Sequence, residues 1–185
     1  MPIMTSQESE SEGIMRASEL MLVSARTAPK TGGVDDVLAV LVYGKEKELI
    51  AEEMDRIGEE REIPGFARDA GNVRSSETVV LIGVRGNKKY GLNCGGCGYA
   101  TCEEFEKAGA RVGRDFIGPT CLFKGLDLGI ALGSAAKTAS ELNVDNRIMY
   151  RIGVAAMRLK MLPEASIIMG IPLSAKGKSA YFDRR

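Results

Sequence analysis

All four cysteines of this chain fall between positions 94 and 121, in the order Cys94-x2-Cys97-x4-Cys102-x18-Cys121, and histidine is absent altogether. A chain whose entire thiol supply sits in and beyond one glycine-rich stretch, Asn93-Cys94-Gly95-Gly96-Cys97-Gly98-Tyr99, is constrained to wrap that region round a single centre. Four thiolates form a soft donor set, suited to an iron–sulfur cluster or to a structural zinc ion. The missing histidines exclude a Ser-His-Asp triad, a Cys-His pair, an HExxH zinc site and a two-His-one-carboxylate iron site. Any chemistry rests on the cysteines, on carboxylates and cations, or on a bound cofactor.

Spacing bears on the choice of metal. Zinc ribbons pair two Cys-x2-Cys knuckles, so that two short turns close a tetrahedron. Here three ligands lie within nine residues and the fourth follows a long gap. That layout is expected of a [4Fe-4S] cubane, wrapped at three corners by one loop and closed by the remote Cys121. Structural zinc, and free or disulfide-linked thiols, are the alternatives. The intervening glycines let backbone N–H groups approach cluster sulfurs. Past the third ligand, Thr101-Cys102-Glu103-Glu104 has the form of a capping box, and Phe105, Ala108 and Val112 give a core-facing stripe at helical spacing. Pro119 keeps a helix from running into Cys121. Glu103 and Glu104 favour the helix start and add negative charge beside the centre.

The rest of the chain reads as one α/β domain. Lys+Arg and Asp+Glu balance at 25 each, so no basic field points to nucleic acid or an anionic membrane. There is no signal-peptide core and no 18-residue apolar run, which makes a cytoplasmic, non-membrane protein the expectation. Residues 1–12 are polar and acidic and read as a disordered tail, leaving 13–185 as the domain, with the cysteine segment at 88–125. Helices are expected over 14–25, 45–61, 66–74, 126–142 and 146–161, from apolar residues at helical spacing. Buried strands are expected over 37–43 (VLAVLVY), 78–84 (TVVLIGV) and 166–171 (SIIMGI), from their β-branched runs. Pro172 to Arg185 is polar and basic. Helices and strands alternate, with the cysteine segment inserted after the second strand.

The run Asn-Cys-Gly-Gly-Cys-Gly-Tyr-Ala-Thr-Cys-Glu-Glu-Phe with Cys121 downstream resembles a known [4Fe-4S] domain. It is the four-cysteine domain of the B subunit of ion-pumping ferredoxin:NAD oxidoreductases and of corrinoid iron–sulfur proteins. A second resemblance covers most of the chain. Ser24-Ala25-Arg26-Thr27-Ala28-Pro29-Lys30 before a strand is similar to the helix and turn of the flavin-dependent nitroreductase fold. So are Ala67 to Val80, and Asp127 to Leu142 with Ile167 to Pro172; the arginine-rich signature at the start of that fold is missing. Taken whole, the pairing of ARTAPK with CGGCGYATC resembles a family of uncharacterised ferredoxin-domain proteins. These resemblances imply a nitroreductase-like mixed sheet flanked by helices, and a homodimer that passes single electrons to a redox partner protein or a small-molecule acceptor. They also imply FMN as a second cofactor, its phosphate held by cations.

Arg26, Lys30, Lys176 and Lys178 are the candidate phosphate-binding cations, because they lie in loops beside Gly32-Gly33 and Gly177, where backbone N–H groups are free. Their plainer reading is solvated loop charge. Asp35-Asp36 before a strand reads as a turn rather than a metal site. Gly83-x-x-Gly86 lacks the spacing of a dinucleotide loop. The nine methionines read as core filler. A zinc-stapled interaction protein without redox activity is the alternative function.

Overall fold

The computed structural model describes residues 3–182, so Met1, Pro2 and the last three residues, parts of the expected tail and of the basic C-terminal segment, lie outside it. Among the described residues six α-helices are formed: α1 (Ser6–Thr27), α2 (Gly44–Arg61), α3 (Pro64–Ser75), α4 (Cys102–Lys107), α5 (Leu122–Glu141) and α6 (Tyr150–Arg158). The strands are β1 (Val37–Tyr43), β2 (Thr78–Val84), β3 (Arg111–Val112), β4 (Ile117–Gly118), β5 (Asp145–Asn146) and β6 (Ile167–Ser174). The main sheet has the order β1-β2-β6-β5, and β3-β4 is a separate hairpin in the cysteine segment.

Alternation along β2 organises the molecule. Successive side chains point to opposite faces. Val79 and Leu81 face a core with Ile50, Met54 and Ile57 of α2, Phe66 and Val73 of α3, and Ile152 of α6. Val80, Ile82 and Val84 face a second core with Ile14, Ala17 and Met21 of α1, and Leu128, Ala131 and Ala135 of α5. Every residue of β2 is buried, so beyond Thr78 the strand is apolar rather than alternating. Each large aliphatic side chain so buried contributes about 1.5–3 kcal/mol.

All pairings of the sheet are antiparallel, where a mixed sheet was expected. The connection decides this. Two helices, α2 and α3, carry the chain out and back, so Thr78 returns beside Tyr43 and β2 runs against β1; a single crossover helix would have produced a parallel pair. Other boundaries also differ from expectation. The first helix starts at Ser6, within the segment expected to be disordered, because Thr5 and Glu8 form a capping box; its first residues remain exposed. The last helix is shorter than 146–161, because Asn146 pairs with Leu173 and Met149 bridges Gly170. Strand β6 runs past Ile171 through Pro172. The nitrogen of Pro172 faces the β5 side, between the Met149 bridge and the Asn146 pair, where no ladder bond is needed.

The cysteine segment leaves the sheet at the Val84 end, where Val84 pairs with Val37 and Ile167. It returns at Cys121, the N-cap residue of α5.

Candidate metal centre

The four cysteines line one cavity, together with Asn93, Phe105, Leu122 and Lys89. Cys94 is exposed, Cys97 and Cys102 are half-buried, and Cys121 is buried. The local backbone explains how three of them come round. Gly95 and Gly98 take φ of 72° and 89°, values open to glycine, and Gly98 N–H donates to Gly95 O at 2.9 Å. Asn93, at φ 49°, locks the loop onto the helix that follows it. Its N–H donates to Cys102 Sγ at 3.3 Å, and its Oδ1 accepts the Cys102 N–H at 2.8 Å. Thr101 caps α4 by accepting the Glu104 N–H at 3.1 Å, while the Glu104 carboxylate reaches past Thr101 to the Ala100 N–H at 3.2 Å. The capping box is thus half-formed, its return bond displaced by one residue.

Only part of the expected core stripe of this helix packs inward. Phe105 is buried and meets Tyr99 edge-on, with ring centroids 6.0 Å apart. Val112 is 86% exposed, because α4 ends at Lys107 and the chain turns into the β3-β4 hairpin. The hairpin is tied to the body by Asp115, which accepts from Arg61 at 2.5 Å and from the Tyr150 hydroxyl. Burial pushes the Asp115 carboxyl up, but the hydrogen bonds from Tyr150 and Arg61 outweigh it and hold the group below its ordinary value. Lys89, at the rim of the cavity, pairs with Glu106 of α4 at 2.5 Å, which raises its ammonium above its ordinary range.

Among the described residues, no three histidine, cysteine, aspartate or glutamate side chains converge tightly enough to hold a single metal ion. As a donor set, four thiols, with positive-φ glycines at 95 and 98 between the first three, fit a polynuclear iron–sulfur group.

The candidate phosphate cations do not come together. Arg26 pairs with Asp35 at 2.5 Å, at the Val37 end of the sheet. The Lys30 side chain is buried there, and its ammonium donates to the carbonyls of Ala25, Arg26 and Ala28, closing the end of α1. Lys176 donates to Ser75 O at 2.6 Å at the opposite, Thr78 end, and Lys178 is exposed two residues further on. The two groups are separated by the length of β2, about 20 Å at roughly 3.4 Å per residue. One phosphate cannot be met by both groups of a single chain. The turn at Thr31–Gly33 has other partners: Thr31 donates its N–H and hydroxyl to Asp127 at 2.8 Å each, and Tyr90 packs on Gly32. Asp127 and Asn93 are site-building residues that the sequence reading missed. Asn93 carried a local signal, since asparagine tolerates positive φ before a loop; Asp127 carried none, because its partner is in a distant turn.

A relative in Archaeoglobus fulgidus, itself described as an uncharacterized protein, is 48% identical over 182 residues, covering 98% of this chain and 97% of its own. The model of a family described as uncharacterized protein containing a ferredoxin domain matches residues 117–184. The chain belongs to this family. The matched span holds Cys121; the other three cysteines precede it. Solved structures with the same fold include an oxidoreductase containing FMN (TM-score 0.56, 12% identity) and nitroreductase A from Vibrio parahaemolyticus (0.54, 15%). A third is the NADPH:FMN oxidoreductase of Vibrio harveyi (0.55, 14%). They cover 88%, 92% and 100% of this chain, which spans 67%, 62% and 65% of theirs. The fold is nitroreductase-like. Among the described residues no helix is long and apolar enough to cross a membrane.

Proposed function

We propose that this protein is an iron–sulfur electron carrier, with one [4Fe-4S] cluster held by Cys94, Cys97, Cys102 and Cys121. The observation that carries the reading is the convergence of the chain's only four thiols on one cavity, three from a single loop and one from the start of α5. A bound cluster of this type supplies one-electron exchange. The chain's own part is to hold and tune it. Asn93 N–H donates to Cys102 Sγ and fixes the direction in which that sulfur points. Phe105 closes the inner wall against water, while Cys94 stays exposed as the contact point for a partner protein or small acceptor. The test is anaerobic purification with iron and sulfide analysis. About four of each per chain are expected, with a paramagnetic signal on one-electron reduction. Zinc without sulfide would favour the stapled interaction protein instead.

The fold favours a second reading for the body. Its relatives in fold include proteins described as containing FMN, and α5 carries an exposed apolar stripe, Leu122, Leu126 and Ile130. A homodimer covering this stripe would bring cations of two chains together, and FMN would then take single electrons from the cluster. Titration with FMN and light scattering test it: a monomer that binds no flavin, with its cluster intact, leaves the carrier role alone.

A further inference from the structure

Two lysines that bracket the four cysteines in sequence meet at one carboxylate in space. Lys88 precedes the first cysteine and Lys124 follows the last; Asp36, just before β1, takes Lys88 at 3.3 Å and Lys124 at 2.9 Å. Arg85 stands 3.9 Å away. Asp36 is 7% exposed and Lys124 wholly inaccessible. The Lys124 ammonium lies 5.5 Å over the ring of Tyr90, and its approach to Asp36 is an ion pair without an aligned hydrogen bond. Backbone contacts close the same junction: Cys121 N–H donates to Gly86 O at 2.8 Å, and Arg85 N–H donates to Asp36 O at 3.0 Å.

Stability is a poor reason for such an arrangement. Desolvating a lysine and an aspartate costs several kcal/mol, and apolar residues of similar size commonly do as well or better. What a buried pair does provide is register, since its charges tolerate only one juxtaposition. Here the register concerns the ligands. Cys94, Cys97 and Cys102 ride on the exposed loop, whereas Cys121 is fixed to the body at the foot of α5. The distance between the three and the one depends on how the two ends of the segment are drawn together.

We propose that Asp36 is a positioning residue for the metal centre: by gathering Lys88 and Lys124 on one buried carboxylate, it closes the root of the cysteine segment and sets Cys121 against the other three ligands. The proposal rests on the cluster reading of those cysteines.

The experiment compares wild type with Asp36→Asn, Lys124→Met and Lys88→Met after anaerobic reconstitution. Glu53→Gln serves as the control, because it weakens the ion pairs of the buried Glu53 with Arg56 on α2 and Arg158 on α6, away from the cysteine segment. Iron per chain, iron loss to a chelator and the electron paramagnetic resonance of the oxidised protein are the readouts. Asp36→Asn and Lys124→Met are expected to lose iron about ten-fold faster, the usual effect of removing an outer-shell partner. They should also accumulate the signal of a three-iron cluster that has lost its Cys121 corner. Lys88→Met, at an exposed cation, shows the same signal more weakly. The control keeps four irons, even where its melting temperature falls. Wild type with four irons and an Asp36→Asn variant indistinguishable from it would overturn the positioning role alone. Wild type with zinc and no sulfide would overturn the cluster reading and the proposal together.

Discussion

The central strand and the segment that follows it are held in opposite ways. Every residue of β2 is buried, between two cores. Between Asn87 and Thr120, Phe105 alone is buried. The body is therefore stabilised by apolar area removed from water, and the segment by turn glycines, a few polar ties and whatever its thiols bind. The difference teaches that the centre and the fold are separable in energy, although both depend on the junction at the Val84 end of the sheet.

Removing a ligand gives the largest effect expected from this contrast. Serine at any of positions 94, 97, 102 or 121 should abolish most iron and sulfide binding, because an alcohol is a poor ligand for a soft site. Circular dichroism of the body should stay near wild type; global unfolding of any one of these variants would break the separation. The converse substitution, Leu81→Ala, should cost about 2–5 kcal/mol in urea unfolding, yet leave the iron content of the folded protein unchanged.

The junction is probed by Gly32→Ala. A Cβ there would lie 1.8 Å from the Tyr90 hydroxyl, on backbone at φ 57°. Roughly 1–3 kcal/mol of destabilisation is expected, with faster hydrogen exchange through residues 88–93. If exchange there does not change, the turn is not the seat of the segment. A smaller effect comes from the hairpin tie. Asp115 has its pKa lowered below 3.8 by Tyr150 and Arg61 against the opposing effect of burial. Its contribution is therefore present above the unfolded value and lost as pH falls through the lower, folded one. Asp115→Asn should loosen the β3-β4 hairpin by about 1 kcal/mol at neutral pH, and remove the acid-induced step from the exchange of its amides.

Much of the body was legible because its signals are local. The runs VLAVLVY and TVVLIGV became β1 and β2 over the residues expected, since a β-branched run of that length has few other uses. Helices were located by apolar spacing, but their ends were not: α5 starts at Leu122, four residues earlier than expected, because Cys121 serves as its N-cap residue. Val112 fitted a helical stripe that does not exist once the chain turns at Gly109.

The phosphate cations illustrate the limit from the other side. Lysine beside glycine looks alike whether it grips an anion or caps a helix. Only the packing showed Lys30 turned onto the carbonyls of Ala25, Arg26 and Ala28, and Lys176 at the far end of the sheet.

What the sequence by itself determined is the donor set, the lack of histidine chemistry, and the alternation of apolar helices and strands. These are properties of residue identity and of spacings short enough for one turn or one strand to read. Tertiary structure alone decided that the sheet is antiparallel, that Asp127 holds the turn at Thr31, and that Asp36 gathers lysines from both ends of the cysteine segment. Such pairings join residues up to 96 positions apart, and a charge carries no mark of its partner until burial makes leaving it unpaired costly.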